Sequence, residues 1–291
     1  MKAIQTEKLT KYYGKSRGIV ELDLSVECGD FFGFIGPNGA GKSTTIRLLL
    51  GLISATDGRA EVLGMDTAND KVNILANVGY LPSEVAYYNG MRVKDMIALS
   101  ASLRKKDCRE EAKILCERLE LDVGKRVEEL SLGNRKKVGI VCAMQHRPSL
   151  YILDEATSGL DPLMQREFYA LLKERNEEGA TVFLSSHNLD EVQRYCRSAA
   201  VIRDGRLLVS DRVAKLAHTG IKRVTLKGVG EMPYIPDARD VKTDGGSISF
   251  LYGGDKKELI RRLSLIEFED VNLTDPDLEE IFMHYYEREG C

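Results

Sequence analysis

The segment from Gly36 to Ser43, which reads GPNGAGKS, constrains this chain more than any other feature. It matches the pattern GxxxxGK[ST], and it stands between an apolar run, Phe31 to Ile35, and a helical pattern from Lys42 to Leu50. Glycines let several backbone amides point at one phosphate chain, and the start of the helix adds positive potential. A strand, a phosphate loop and a helix in this order predict an α/β domain that binds a nucleoside triphosphate.

The residue types in this loop have separate chemical roles. Lys42 is predicted to reach the β and γ phosphates, which makes it a catalytic as well as a binding residue, and the Ser43 hydroxyl is predicted to ligate magnesium. The predicted nucleotide-binding segment comprises Gly36, Pro37, Asn38, Gly39, Ala40, Gly41, Lys42, Ser43 and Thr44. An accidental match is expected on the order of once in a hundred chains of this length, so we interpret the segment as functional.

Two carboxylates follow a second apolar run, Leu150 to Leu153, which has the pattern of a buried parallel strand. Asp154 is predicted to hold magnesium, through water, and Glu155 to orient and polarise the water that attacks the γ phosphate. An Asp-Glu pair after an apolar run is by itself a common transition from strand to loop. The phosphate loop upstream favours the functional interpretation.

Composition excludes several classes of protein. Of 291 residues, 43% are hydrophobic and 30% charged, with a net charge of −3, which argues against a disordered chain and a general nucleic-acid binder. No apolar run reaches the ~20 residues of a membrane span, and no signal peptide is evident, so we expect a cytoplasmic protein. Six scattered cysteines without a CxxC pair predict reduced thiols.

Patterning along the chain predicts two domains. The first, residues 1–216, is expected to be α/β, with an antiparallel β region at its start and an inserted helical subdomain at about 90–147. Apolar runs from Ile19 to Val26 and from Thr181 to Leu184 read as strands, and Gln165 to Glu177 reads as a helix. The second, residues 217–291, is more acidic and is expected to be a small α+β domain ending in a helix from Asp277 to Glu287.

Two further elements separate the families that share a phosphate loop. The stretch from Leu130 to Lys137, LSLGNRKK, resembles the LSGGQ signature of ATP-binding cassette (ABC) proteins. Ser131 and the Gly133 amide at a helix start would form a second anion site, suited to a γ phosphate from another subunit. His187, after the run that ends at Leu184, resembles the switch histidine of that family. Alone, each fits an ordinary helix cap or strand end.

With five elements in sequence, the chain resembles the nucleotide-binding subunit of an ABC transporter over roughly residues 1–216. The resemblance implies a P-loop ABC ATPase fold, ATP and Mg²⁺ as cofactors, and catalytic roles for Lys42, Glu155 and His187. It also implies a homodimer that sandwiches two ATP molecules head to tail. A separate membrane-spanning permease would be the partner, with this chain peripheral on the inner face of the membrane and no nucleic acid bound.

Other positions carry over from the same resemblance. Tyr13 stands where the family stacks an aromatic ring on adenine, with Tyr12 as the alternative, and Ser158 to Asp161 matches the D-loop that bridges the two subunits. The stretch from Asp275 to Phe282 resembles the tail of ATPase subunits from bacterial exporters of drugs, peptides, polysaccharides and lipids. Export is therefore the expected direction.

The chain departs from the family pattern at two places. After Gly79-Tyr-Leu-Pro82, the family has a glutamine at the Q-loop position, and here it is Ser83. Its shorter hydroxyl remains a candidate metal ligand, reaching magnesium through water. Leu132 and Asn134 replace one glycine and the glutamine of the signature, and Ser131 and Gly133 are kept.

Two other classes of function stay open at this level. A soluble ABC ATPase acting on ribosomes or DNA is one, although such proteins usually carry two cassettes or long coiled-coil insertions, and this chain has neither. A P-loop GTPase or kinase is the other, although the chain lacks an Asn-Lys-x-Asp motif.

Overall fold

The computed structural model describes residues 1–88, 90–217, 222–229 and 232–274. The chain divides into two compact units, one from Met1 to Asp211 and one from Arg212 onward. The expected domain boundary at Leu216 lies a few residues beyond this division. The predicted helix from Asp277 to Glu287 and the tail stretch from Asp275 to Phe282 lie outside the described residues.

The structure describes fifteen β-strands, nine α-helices and one 3₁₀ turn. The described strands are β1 (Lys2–Tyr13), β2 (Ser16–Leu22), β3 (Ser25–Glu27), β4 (Phe31–Ile35), β5 (Asp57–Val62), β6 (Met65–Asp66), β7 (Val78–Leu81), β8 (Leu150–Asp154), β9 (Thr181–Ser186), β10 (Ser198–Arg203), β11 (Arg206–Arg212), β12 (Lys222–Lys227), β13 (Ala238–Asp244), β14 (Ser247–Tyr252) and β15 (Asp270–Thr274). The described α-helices are α1 (Lys42–Leu49), α2 (Lys71–Asn77), α3 (Val93–Leu103), α4 (Arg109–Arg118), α5 (Leu132–Met144), α6 (Pro162–Glu177), α7 (Leu189–Tyr195), α8 (Val213–Ala217) and α9 (Lys256–Leu263), and a 3₁₀ turn covers Val127–Glu129.

An antiparallel sheet opens the first unit, as the sequence predicts. Its strand order is β2-β1-β5-β6, with β3 also paired to β1. The prediction of a single strand from Ile19 to Val26 is wrong, because β2 ends at Leu22 and β3 begins at Ser25. Between the two strands, the Asp23 carboxylate accepts a hydrogen bond from the Lys8 amide at 2.7 Å. The long strand β1 thus pairs with β2 along one part and with β3 along another.

The central sheet of the first unit has the order β11-β10-β4-β9-β8-β7. The strands from β10 to β7 in that order are parallel to their neighbours, as crossover helices require. Every residue of β4, β8 and β9 is buried, which explains their uninterrupted apolar runs. Phe32 and Phe183 stack at 5.9 Å between ring centroids in the core. The predicted P-loop α/β core is confirmed.

Helices α3, α4 and α5 form the inserted helical region, which the sequence predicts at about residues 90–147. α4 ends at Arg118, and Glu120 just beyond it takes a left-handed conformation with φ of 51°. α6 begins at Pro162, earlier than predicted, because Asp161 caps it by accepting hydrogen bonds from the amides of Leu163 and Met164, both at 3.0 Å.

The second unit contains an antiparallel sheet of order β13-β14-β12-β15. Its own apolar core includes Val224, Leu226 and Phe250 from the sheet and Leu259 and Leu263 from α9. The unit is therefore of the α+β kind that the composition predicts.

Candidate nucleotide site

The phosphate loop joins β4 to α1 through backbone conformations that favour glycine. Gly39 and Gly41 have φ of 80° and 111°, in the left-handed region. A Cβ added at Gly36 would lie 2.3 Å from the carbonyl oxygen of Ile202, so a larger residue has no room there. The Ala40 carbonyl accepts a hydrogen bond from the Gly205 amide at 2.9 Å, which fixes the loop against the turn between β10 and β11.

Lys42 begins α1 and is 5% exposed. Its Nζ donates to the carbonyl oxygens of Gly36 at 2.6 Å and Pro37 at 3.2 Å, so the ammonium is folded back over its own loop. It also lies 3.5 Å from Oε1 of Glu155. The ammonium is therefore placed within the concave side of the loop, where a phosphate would replace main-chain oxygens as its partner.

Glu155 lies at the carboxyl end of β8, directly between two of the predicted catalytic residues. Its Oε1 is 3.5 Å from Lys42 Nζ and 3.3 Å from Nδ1 of His187, which follows the carboxyl end of β9. The φ of Glu155 is 48°, a left-handed conformation that costs a non-glycine residue about 1–2 kcal/mol. Its amide donates to the Ser185 carbonyl at 3.0 Å, which holds this turn against β9. Parallel strand order thus brings together residues that are more than a hundred positions apart.

Asp154 and Ser43 present the oxygen ligands that Mg²⁺ prefers. The Asp154 side chain is 3% exposed and accepts a hydrogen bond from Ser185 Oγ at 3.0 Å, which orients one carboxylate oxygen and leaves the other available. The Ser43 hydroxyl makes no hydrogen bond to any residue that the structure describes. Within the same ranges, no three His, Cys, Asp or Glu side chains gather as a metal site. One carboxylate and one hydroxyl fit a metal whose remaining ligands are phosphate and water.

Tyr13, at the end of β1, lies beside the start of α1. A Cβ added at Gly18 would be 3.1 Å from the Tyr13 ring and 3.1 Å from the Thr44 methyl, so both side chains lie next to Gly18. Lys11 Nζ lies 5.4 Å from the centre of the same ring. The Tyr12 amide instead binds Thr56 Oγ1 at 3.0 Å. The stacking of Tyr13, or of Tyr12, on adenine stays a prediction.

Ser131 caps α5 at a different place from the residues above. Its Oγ accepts a hydrogen bond from the Asn134 amide at 3.3 Å, and Gly133 packs so closely on the D-loop that an added Cβ would lie 2.8 Å from the Gly159 carbonyl oxygen. Leu132, the residue that departs from the signature, is 69% exposed. No hydrogen bond or ion pair among the described residues joins Ser131 or Gly133 to Lys42, Asp154, Glu155 or His187.

Ser83 lies just beyond β7, with its side chain exposed and without a hydrogen bond in the described part of the chain. Its main-chain carbonyl accepts a hydrogen bond from Nζ of Lys136 at 2.8 Å. Burial lowers the pKa of Lys136 to about 8, against the opposing attraction of Asp154 and then Glu155. The pattern of the sequence did not single out Lys136, because a lysine in an Arg-Lys-Lys run usually faces solvent.

Comparison with known proteins identifies the family. Residues 19–158 match the family model described as ABC transporter. The bacitracin transport ATP-binding protein BcrA of Bacillus licheniformis is 38% identical over 70% of this chain and 68% of its own length. The uncharacterised ABC transporter ATP-binding protein YhaQ of Bacillus subtilis is 30% identical over 95% of this chain and 96% of its own. The chain belongs to the ABC transporter family.

A solved structure described as the ATP-binding subunit of an ABC transporter agrees with this membership. It has a TM-score of 0.70 and 27% identity, and covers 74% of this chain and 91% of its own. The chain is thus an ABC transporter subunit that binds and hydrolyses ATP and energises transport, and the GTPase or kinase alternative is excluded. No helix in the described ranges is long and apolar enough to span a bilayer.

Both departures from the family pattern, at Ser83 and at Leu132, lie at described contacts. Ser83, which the resemblance of the sequence assigns to the position of the family glutamine, makes its described contact through its main chain rather than its side chain. Leu132 packs beside Gly159, where an added Cβ would lie 3.2 Å from a Leu132 methyl. The signature and the D-loop therefore form one surface.

Proposed function

We propose that this subunit powers export through a permease at the inner face of the membrane, and that two copies hydrolyse ATP at shared sites. The observation that carries the catalytic assignment is the contact of Lys42 and His187 with one carboxylate oxygen of Glu155. A carboxylate at the end of a parallel strand, beside a phosphate loop, is placed to polarise water next to the γ phosphate. Export is supported by the resemblance of the tail and by the bacitracin transport protein among the relatives.

In this proposal Glu155 is the general base and His187 holds its carboxylate in position. Lys42 and the amides of residues 36–44 hold the phosphates, and Tyr13 stacks on the adenine. Ser43 and Asp154 would hold Mg²⁺, with Ser83 reaching it through water, and the metal would neutralise charge on the β and γ phosphates. The residues of this chain bind, orient and accept a proton.

The head-to-tail arrangement is supported by the position of the signature. Ser131 and Gly133 carry the groups of an anion site, yet in one chain they pack on the D-loop and make no described contact with Lys42 or Glu155. A second copy turned head to tail would bring its Ser131 to the phosphates held by the first. Each ATP would then need Lys42 from one subunit and Ser131 from the other.

Mixing two inactive variants tests this arrangement. Lys42→Ala and Ser131→Arg each damage both sites of a homodimer. In a mixed dimer, one site collects both lesions, and the other has an intact Lys42 and an intact Ser131. We expect the mixture to recover a fraction of wild-type ATPase activity.

The control adds Glu155→Gln to one chain of the mixture. Placed on the Ser131→Arg chain, which supplies the phosphate loop and general base of the complete site, it should abolish the recovery. Placed on the Lys42→Ala chain, it should leave most of the recovery in place. If activity stays at the sum of the separate variants while labelled subunits demonstrably exchange, the two sites are not shared in this way or are strictly interdependent.

A further inference from the structure

Lys136, on the second turn of α5, is a buried cation with an unusual set of partners. The residue is 2% exposed, and its Nζ donates to the carbonyl oxygens of Pro82 at 2.9 Å and Ser83 at 2.8 Å. The Glu155 carbonyl oxygen lies at 3.5 Å, a longer contact. One ammonium group therefore contacts the main chain at the Q-loop position and at the proposed general base.

These contacts have an energetic reason. A buried ammonium is costly unless its protons are satisfied, and three main-chain carbonyls match its three donors. Lys136 has no carboxylate within ion-pair distance in the described part of the chain, so the carbonyls themselves compensate the charge. Neighbouring Lys137 is also buried, at 8% exposed, but makes no hydrogen bond or ion pair to any described residue. The two lysines differ in their contacts, although they are adjacent on one helix.

The segment 82–88 packs along α5 at further points. The Tyr87 hydroxyl donates to the Arg135 carbonyl oxygen at 2.8 Å. A Cβ added at Gly139 would lie 2.9 Å from a Val85 methyl and 3.1 Å from the Tyr87 hydroxyl, so the segment lies directly on the helix. A displacement of residues 82–88 must therefore move or break the contacts that Lys136 makes.

Lys136 also contacts Glu155, whose backbone conformation is strained. The left-handed backbone of Glu155 is held by its amide, which donates to Ser185, and its carbonyl oxygen faces Lys136. A main chain held away from its preferred conformation shifts when one of its restraints is lost. The side chain of Glu155, which contacts Lys42 and His187, would shift with it.

We propose that Lys136 is a positioning residue that ties segment 82–88 to the main chain of Glu155 and transmits movement of that segment to the general base. The proposal rests on the role of Glu155 proposed above. In this chain the link includes the main-chain carbonyl of Ser83, at the position where the family has a glutamine. The cation acts through Glu155 and does not touch the nucleotide.

Hydrogen exchange tests the link without reference to turnover. In Lys136→Met the chain keeps an unbranched apolar stem but loses the donors and the charge. We expect amide exchange to accelerate about tenfold in both 82–88 and 155–159, while β4 in the core keeps its wild-type rate. Lys137→Met is the matched control, and it should leave both segments at wild-type rates.

Kinetics then separate positioning from binding. For Lys136→Met we expect kcat for ATP hydrolysis to fall about tenfold to a hundredfold, as expected when a catalytic group is slightly misplaced. The KM for ATP should stay within about twofold, because the phosphate loop is untouched. Lys136→Arg, which keeps charge and donors, should recover part of kcat and part of the exchange protection.

The exchange rates of the two segments and kcat together decide whether the proposed link exists. Exchange that accelerates in only one of the two segments, or equally in β4, overturns the link, and a kcat within twofold of wild type overturns the transmission of movement to the general base. If Lys136→Met does not fold, Lys136→Gln and Lys136→Arg replace it, and the two segments must still change together. If Glu155→Gln retains normal turnover, the general-base proposal fails, whereas paired changes in exchange would still support the physical link.

Discussion

Glu155→Gln is the most informative single substitution in this site. Glutamine has nearly the same shape as glutamate but carries no charge and is a far weaker base. In the structure, Oε1 of Glu155 lies 3.5 Å from Lys42 Nζ and 3.3 Å from His187 Nδ1. The substitution therefore changes both the reactivity toward water and the electrostatic partner of Lys42.

The two effects have different magnitudes. Loss of a general base typically slows a reaction 10²–10⁴-fold, which corresponds to about 2.7–5.4 kcal/mol in activation free energy. Two unit charges 3.5 Å apart attract by roughly 1 kcal/mol in water and about 5 kcal/mol at an effective dielectric constant of 20. Because Lys42 and Glu155 are 5% and 24% exposed, their desolvation offsets most of this attraction, and we take the lower value as the net effect. Because Lys42 must turn toward phosphate, its release from Glu155 should strengthen ATP binding by about fivefold.

The assay combines turnover, affinity and assembly. At saturating ATP and magnesium, phosphate release by Glu155→Gln should be at least about a hundredfold slower than wild type. ATP should accumulate in a closed dimer, which size-exclusion chromatography would detect as a larger dimer fraction. Glu178→Gln is the control, because Glu178 follows α6 and pairs with Arg147 and Arg175 rather than with Lys42.

Two results would refute this reasoning. Turnover within a few-fold of wild type, together with an unchanged dimer fraction, rules out the general-base role. Weaker ATP binding in a folded Glu155→Gln protein would show that the contact with Lys42 prepares the loop for phosphate instead of competing with it.

Three further predictions concern other residues. Lys42→Ala removes the loop cation and should abolish measurable ATP binding and hydrolysis; activity within a few-fold of wild type in a folded protein would contradict the site. Ser83→Gln restores the family residue and should preserve or raise basal ATPase activity, and a large loss would reveal a separate role for Ser83 or Glu84. Burial lowers the pKa of His146 to about 3, so the folded chain resists a proton that the unfolded chain takes up below about pH 6.5. Below that pH its contribution should lower the free energy of unfolding by up to about 1.4 kcal/mol per pH unit, and denaturant titrations at pH 7.5 and 5.5 should show less loss in His146→Gln.

Sequence patterns predicted strands best where burial is complete. The run from Phe31 to Ile35 matches β4, and the run from Thr181 to Leu184 lies within β9, two strands in which every residue is buried. The pattern did not predict the separation of β2 from β3 between Leu22 and Ser25. Apolar and polar residues continue to alternate there, although β2 and β3 pair with different parts of β1. Strand ends depend on which partner is available, and that information is not local.

The amino-acid sequence by itself determined the phosphate loop, the carboxylates at the end of β8 and the family to which the chain belongs. These signals are local, because the residues that bind phosphate in a glycine-rich loop between a strand and a helix are consecutive in the sequence. Only the tertiary structure brought Lys42, Glu155 and His187 to one point, since their meeting depends on the parallel order β4-β9-β8. It alone buried Lys136 against the carbonyls of Pro82 and Ser83, because the burial of a lysine depends on the segments that cover it and not on its neighbours in sequence.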